Sequence, residues 1–505
     1  MGLYNEASLI MYPSGTKASK IYSLKPIPKY GPELVVNGDF TTDSDWGYNA
    51  NWSIANGKAT STGGGRILQS IPYLNANVGT RIIVTFDIVD YTSAGVEVVC
   101  YGVASEVFSG IGTYSFMGTT TNTTNLYFNN SGQGNLVGAI DNVSVKEVFV
   151  NGDLDFARST TKTYRDVNGL IAEAPINVMP LSYEGGGCGK FNFEPQATNL
   201  FENSEPTTTG SFKTGVVFQQ TNIFSWNGIY YGDNSVRRVA FFSPISVVAN
   251  VDFTVSVFVK MTDGIVPVFS NNTGTNTNDF AMTFAGTPII GAPILIGNGI
   301  YRVFITGQTS ITTFNLYVEK TTNMTNKTFE VTGFNLVQSG SLTSYIPTSG
   351  TTVTRNADES VTTGLSSVIN SEEGVLYAKM ASSANDGTLK TIQLSDGTNN
   401  NRLTISYSNF SNNLLVQLVV GGTILVSKLR AIPSSLVFMK VAVKYGSNGF
   451  SLWIDGTETD TGGTHTIAPN TFTDLSIINF YGKLQELQVY PTSLTDPKRA
   501  ELTTL

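Results

Sequence analysis

Groups able to move a proton near neutral pH are almost missing from this chain of 505 residues, which carries one histidine, His465. It sits in GGTHTIAPN, with no cysteine and no Ser-x-Gly elbow beside it, so it reads as part of a Gly-Thr loop and not as a general base. Paired carboxylates are the other economical device, because glycoside hydrolysis needs only two acids at a set separation. Asp153 with Asp155, and Asp43 with Asp45, are spaced by two and would share a face of a strand. Acids set next to glycines usually bond their own backbone in turns, and Glu372 with Glu373 precede a strand as a solvated edge. No Gly-x-x-x-x-Gly-Lys loop and no zinc-ligand spacing are present. The expectation is no catalytic residue, no metal, no cofactor and no enzymatic activity.

Binding chemistry is better represented. Sugars are held on flat apolar faces with amides or carboxylates alongside to bond the hydroxyls. Trp46, Tyr48 and Trp52 fall in DSDWGYNANWSI, and Trp226, Tyr230 and Tyr231 fall in SWNGIYYGDN, both turn-rich and interleaved with Asn and Asp. Trp52 and Trp453 sit in strand-like alternation and are expected in the core. Trp46, Tyr48, Trp226, Tyr230 and Tyr231 are the carbohydrate-binding candidates.

Positioning such groups requires a folded scaffold, and the composition describes one. Charged residues are 13% of the chain, against roughly 25% in ordinary domains, while 50 Gly supply turns and 22 Tyr and 29 Phe supply core. Disordered chains lack that apolar area. A net charge of −8 argues against nucleic-acid binding, which needs clustered cations. Residues 1–32 are a local exception, with Lys17, Lys20, Lys25 and Lys29 against Glu6 alone, and read either as a leader that docks on an acidic surface or as a solvated arm. No stretch is long and apolar enough for a membrane helix, and MGLYNEASLI lacks the basic start and apolar core of a signal peptide. Cys100 and Cys188 fall in different modules, so no disulfide framework is expected.

Three β-rich segments follow. Residues 33–148 open with ELVVNGDF and close with IDNVSVKEV, and short apolar runs between them are punctuated by turn dipeptides such as Asn56-Gly57. Residues 201–346 repeat the pattern: Gly112, Tyr114 and Phe116 are matched by Gly299, Tyr301 and Val303, NLYF from Asn125 by NLYV from Asn315, and DNVSV from Asp141 by GFNLV from Gly333. An internal duplication explains these matches. Val251, Phe253, Val255, Val257, Val259 and Met261 occupy alternate positions and predict a half-buried strand. Residues 149–200 are an ordered connector. In residues 347–505, Asn448-Gly449 and Asp455-Gly456 bracket a strand, and Thr495 followed by Asp496 and Pro497 predicts a C-terminal helix. The fold class is therefore all-β, a series of β-sandwiches with a short C-terminal helix.

Several of these segments resemble known families. The ends of 33–148, Asn37 to Phe40 and Ile140 to Val143, resemble jelly-roll carbohydrate-binding modules, which often hold a structural calcium through an acid at the Asp141 position; Gly333 replaces it in the second copy. GFSLWIDG followed by KLQELQVYPTSLTDPKRAEL resembles concanavalin A-like, laminin G-like sandwiches. These resemblances imply that the first two sandwiches are tandem jelly rolls and the third a laminin G-like sandwich. Gly152, Asp153, Leu154, Asp155, Phe156, Ala157, Arg158 and Ser159, with the Glu194 to Leu200 run EPQATNL, resemble a junction in fibre and appendage proteins of tailed bacteriophages. That resemblance implies a structural virion protein attached through residues 1–32 to capsid or tail proteins, homotrimeric, and adhering to glycans by several weak contacts at once. A head fibre or decoration protein is the first expectation; a tail-fibre receptor-binding protein and a glycan-degrading appendage enzyme are the alternatives.

Overall fold

The computed structural model describes the chain apart from residues 1, 14, 18, 27–28, 50, 105–106, 130–135, 151, 185–186, 206–219, 224–225, 232–237, 272–279, 284–288, 309–311, 320–327 and 505, and the side chains of some strand residues beside these gaps. The described residues are all-β, with mostly antiparallel sheets and three short helices. They form two compact units, Pro26–Asn151 and a second made of Met1–Lys25 together with Gly152–Leu505.

The Pro26–Asn151 unit is a sandwich. One sheet runs, edge to edge, Gly112–Thr119, Arg81–Ser93, Val137–Val150, Lys58–Thr62, Trp52–Ala55, and the facing sheet runs Val103–Ala104, Glu97–Cys100, Leu126–Asn129, Arg66–Gln69, Gly47–Tyr48. Alternating residues such as Ile82, Val84, Phe86 and Ile88 point between the sheets into one core, as period-two side-chain placement requires.

The segment from 201 to 337 is built to the same plan. Its larger sheet places Ile300–Gln308, Asp252–Met261, Phe329–Val337, Trp226–Tyr231 and Gln220–Ile223 in the same sequence of neighbours. The correspondence extends to single hydrogen bonds. Leu34 N–H donates to Val145 O at 2.9 Å as Leu200 N–H does to Leu336 O at 2.9 Å, and Val143 N–H donates to Gly38 O at 2.8 Å as Phe334 N–H does to Ser204 O at 2.9 Å. Both closing strands carry a bulge. Its left-handed residue is Asn142 in one (φ 51°) and Gly333 in the other (φ 64°). The sequence match therefore slips by one: Asn142, not Asp141, is the partner of Gly333, because the bulge demands the positive φ that Asn and Gly tolerate best.

The Asp252–Met261 strand departs from expectation. Its alternate apolar residues are buried, but so are Thr254 and Ser256 on the other face. Residues 339–345 cover that face: Thr254 Oγ1 donates to Ser339 O at 2.8 Å, and Phe258 meets Tyr345 edge-on at 5.5 Å.

The C-terminal sandwich pairs a six-stranded sheet (Ser360–Thr362, Asp474–Ile478, Lys390–Ser395, Arg402–Tyr407, Asn413–Val420, Thr423–Ala431) with an eight-stranded one built around Gly482–Tyr490, Glu373–Ser382 and Met439–Gly446. The helix Asp496–Thr503 starts at Thr495 and buries Arg499 and Leu502 against it, the Arg499 guanidinium lying over Trp453 at 5.8 Å. Two segments distant in sequence complete the large sheet along one edge of Gly482–Tyr490. Lys190–Phe193 from the connector takes one end and Leu9–Met11 the other, with Leu9 opposite Val489 and Met11 opposite Leu487.

That pairing overturns the expected leader at 1–32. Leu9, Ile10 and Met11 are fully buried, Glu6 pairs with Lys498, and Lys20–Ile21 pairs with Leu154–Asp155 just after the chain returns from the Pro26–Asn151 unit. The first jelly roll is thus inserted between residue 25 and residue 152 of another unit. The charge pattern misled because four lysines were counted without the apolar LIM run that outweighs them: burying three such side chains is worth several kcal/mol. Leu9→Ala should lower the stability of the Met1–Lys25/Gly152–Leu505 unit by about 2–5 kcal/mol, read as a shift of its urea midpoint; an unchanged midpoint would mean the segment is a dispensable arm.

Candidate functional site

Of the sugar-binding candidates, Trp46 is a core residue. It is 7% exposed, its indole N–H donates to Asn37 O at 3.0 Å, and its ring packs on Phe40 and Phe128 with centroids 5.1 and 6.4 Å away. Buried in that cluster, Trp46 has no open face for a ligand. Tyr48 is 39% exposed, and its hydroxyl donates to Asp43 Oδ1 at 2.8 Å, the main cause of its raised pKa. Trp226, Tyr230 and Tyr231 lie by backbone in the Trp226–Tyr231 strand; their side chains lie outside the described residues. Trp52 is 3% exposed within the core.

Lys20 and Lys25 bond within their own unit. Lys20 pairs with Asp155, and Lys25 Nζ donates to the carbonyls of Asn5 and Ala7 at 3.2 and 3.1 Å while lying 4.9 Å from the Tyr4 ring. The side chains of Lys17 and Lys29 lie outside the described residues. Asp153 accepts from Ser23 N–H at 2.8 Å and from its hydroxyl at 3.2 Å, so both members of the Asp153/Asp155 pair hold the 20–23 segment to the junction. His465 is half-buried, its backbone N–H donating to Gly446 O. Among the described residues no three His, Cys, Asp or Glu side chains gather as metal ligands. Cys100 and Cys188 are both unpaired, and burial pushes the Cys100 thiol up to about 12.

An outward-facing aromatic strip lies on the Pro26–Asn151 sandwich, on residues that were not among the sequence candidates. Leu126 and Phe128 are core, so Tyr127 between them projects from the opposite face of the smaller sheet. Register places Leu68 and Val99 directly on either side of it, both half-buried. Arg66 lies over the Tyr127 ring at 6.0 Å, and Glu97 stands in the next row. The result is an aromatic ring on an apolar strip, with a guanidinium stacked over it and a carboxylate one row away, a combination of flat apolar and polar groups of the kind sugars contact. The signal was present in NLYF as simple alternation. In the second module NLYV sets Tyr317 at the equivalent backbone position, beside core Val318; the Tyr317 side chain lies outside the described residues.

The strongest electrostatics lie elsewhere, at the junction of the connector with the second and third sandwiches. Arg158, Lys162, Glu194, Arg355 and Asp358 have side chains at most 4% exposed. Asp358 takes Arg158 at 2.9 Å and Lys162 at 2.6 Å; Glu194 takes Lys162 at 2.9 Å and Arg355 at 2.8 Å. Remaining donors reach carbonyls: Arg158 those of Thr160, Pro175 and Val178, and Lys162 that of Asn192. Backbone N–H groups of Glu194 and Ser344 complete the carboxylates. Burial alone would raise the Glu194 carboxyl, but Arg355 and Lys162, with the Lys162 and Ser344 hydrogen bonds, hold it at about 2. Next to this cluster, buried Asn199 satisfies all it offers, donating to Phe334 O and Ile346 O and accepting from Phe201 and Leu336 N–H at 2.8–3.1 Å.

No family model and no curated protein matches this chain. Among solved structures it is similar to a point mutant of the NanB sialidase of Streptococcus pneumoniae and to NanB in complex with 2-[(3-chlorobenzyl)ammonio]ethanesulfonate, each at 14% identity and TM-score 0.24 over 28% of this chain. The match spans only 25% of either sialidase chain, and a likeness at that score carries no argument about activity.

Glu194→Gln leaves three buried cations facing one carboxylate and should cost about 3–5 kcal/mol, measured by chemical denaturation. Because Glu194 is depressed in the fold, its contribution is complete above its ordinary value of 4.5 and is lost as pH falls toward about 2. The wild-type melting temperature should therefore drop across that window, and the Glu194→Gln protein should drop less steeply.

Proposed function

We propose that this chain is a structural virion protein of a tailed bacteriophage, a head fibre or decoration protein that presents glycan-binding β-sandwiches for multivalent adhesion. The observation that carries the adhesive part is the outward Tyr127 strip flanked by Leu68, Val99, Arg66 and Glu97. The virion part rests on the junction residues Gly152 to Ser159 and Glu194 to Leu200, whose likeness to phage appendage proteins is local. Because Leu9–Met11 is built into a sheet, attachment falls to a surface of the folded protein and not to a free basic arm. Single sites of this kind hold glycans weakly, and several copies on one particle convert weak contacts into retention. Homotrimeric assembly would supply that multiplicity and cover exposed sheet edges. A tail-fibre receptor-binding role uses the same face and differs only in where the protein sits.

Two measurements test the reading. Full-length protein on a glycan array should bind a restricted set of surface polysaccharides, and Tyr127→Ala should weaken binding about tenfold, the worth of one ring contact. An array blank for wild type, or equally bright for Tyr127→Ala, would remove this face from consideration. Labelled antibody against the chain, imaged on intact virions, should mark the head; labelling of the tail selects the receptor-binding role, and unlabelled particles end the virion proposal.

A further inference from the structure

The buried cluster has an electrostatic remainder. Three cations, Arg158, Lys162 and Arg355, face two carboxylates, Glu194 and Asp358, and excess charge in a low-dielectric interior is costly unless something compensates it. Beside the cluster lies a cavity of ≈ 260 Å³ lined by Thr160 to Thr163, Tyr345 to Pro347 and Val353 to Arg355. Its lining contains two cationic side chains, Lys162 and Arg355, and no carboxylate. Arg355 is 2% exposed and keeps a buried Nε–H that no acceptor meets. Thr160 and Thr161 add hydroxyls, and Thr160 is held in place by the Arg158 bond to its carbonyl and the Asn356 N–H to its Oγ1. Thr161 and Val353 are exposed and form the lip.

We propose that this cavity is a binding site for a small oxyanion, a phosphate, sulfate or carboxylate group seated on the Thr160–Thr161 hydroxyls in the positive field of Arg355 and Lys162. Lys162 contributes charge and no free donor, since its three N–H groups are taken by Asp358, Glu194 and Asn192 O. Guanidinium and hydroxyl donors are the groups that select oxyanions over chloride. The volume accommodates either a free inorganic anion or the carboxylate end of an acidic sugar. This site is independent of the Tyr127 face and lies in the other compact unit.

The experiment uses the full chain at constant ionic strength, with chloride as reference and inorganic phosphate, sulfate or glucuronate as probes. Calorimetric titration should give saturable binding of at least one probe, and its presence should raise the melting temperature of the Met1–Lys25/Gly152–Leu505 unit. Thr161→Trp, which blocks the lip without touching the charges, should weaken binding about tenfold or more and leave melting in chloride unchanged; Thr161→Ser, which keeps the hydroxyl, should retain binding. Val353→Trp at the opposite lip replaces Thr161→Trp if the latter fails to fold. Glucuronate binding tighter than phosphate or sulfate identifies a sugar acid as the ligand, and the reverse identifies a free anion. Probes no better than chloride, or a blocked lip that binds as well as wild type, would overturn the proposal.

Discussion

Asp358 and Glu194 share Lys162 between them, and most of the larger unit is organised around that shared ammonium. The five side chains of the cluster come from the connector, at 158–162 and 194, and from 355–358 beyond the second sandwich, so their geometry exists only when those stretches are brought together. Desolvating such ions costs several kcal/mol each, and the cost is offset only when every donor and acceptor is met. A nearly complete set therefore acts as a specificity device more than a source of net stability. Partly docked arrangements would leave a charge buried and alone. Around it the backbone closes the same joint, with Ala157 and Glu359 exchanging hydrogen bonds at 2.9 and 3.1 Å, and Ala197–Asn199 pairing with Val353–Arg355.

The residues on which the proposed virion role rests are largely the residues of this joint. Arg158 and Ser159 end the first motif, and Glu194, Thr198 and Asn199 belong to the second. Their chemistry in this fold is architectural: Arg158 neutralises Asp358, and Asn199 pins the closing strand of the second sandwich. Asp153 and Asp155, which spacing alone would allow as an acid pair, fasten the 20–23 segment instead.

Edge management explains the chain's route. The last long strand of the third sandwich, Gly482–Tyr490, would otherwise present unpaired backbone along one side, an invitation to unwanted pairing. Leu9–Met11 and Lys190–Phe193 divide that edge between them. Covering it with the first residues of the chain makes a jelly roll of more than a hundred residues an insertion, entered and left beside the Lys20–Ile21 and Leu154–Asp155 pair.

Local alternation and turn chemistry were enough to read the sandwiches. Phe253 to Met261 announced a strand, Asp455-Gly456 a tight turn with both residues at positive φ, and Thr495 to Pro497 a helix start. These are short-range effects of side-chain period and backbone sterics, and they survive in any context. The aromatic candidates fared differently because Trp and Tyr serve core and ligand equally: Trp46 went inward to Phe40 and Phe128, while Tyr127, in an NLYF run read only as an anchor of the duplication, went outward. Which lysine meets which carboxylate, which sheet edge receives residues 9–11, and which face of a strand meets water are settled by partners outside the local sequence, from Glu194 for Lys162 to Val489 for Leu9. Composition and period determined that this protein is a set of all-β sandwiches; long-range pairing alone decided that one is inserted in another unit and that a buried set of ions joins the rest.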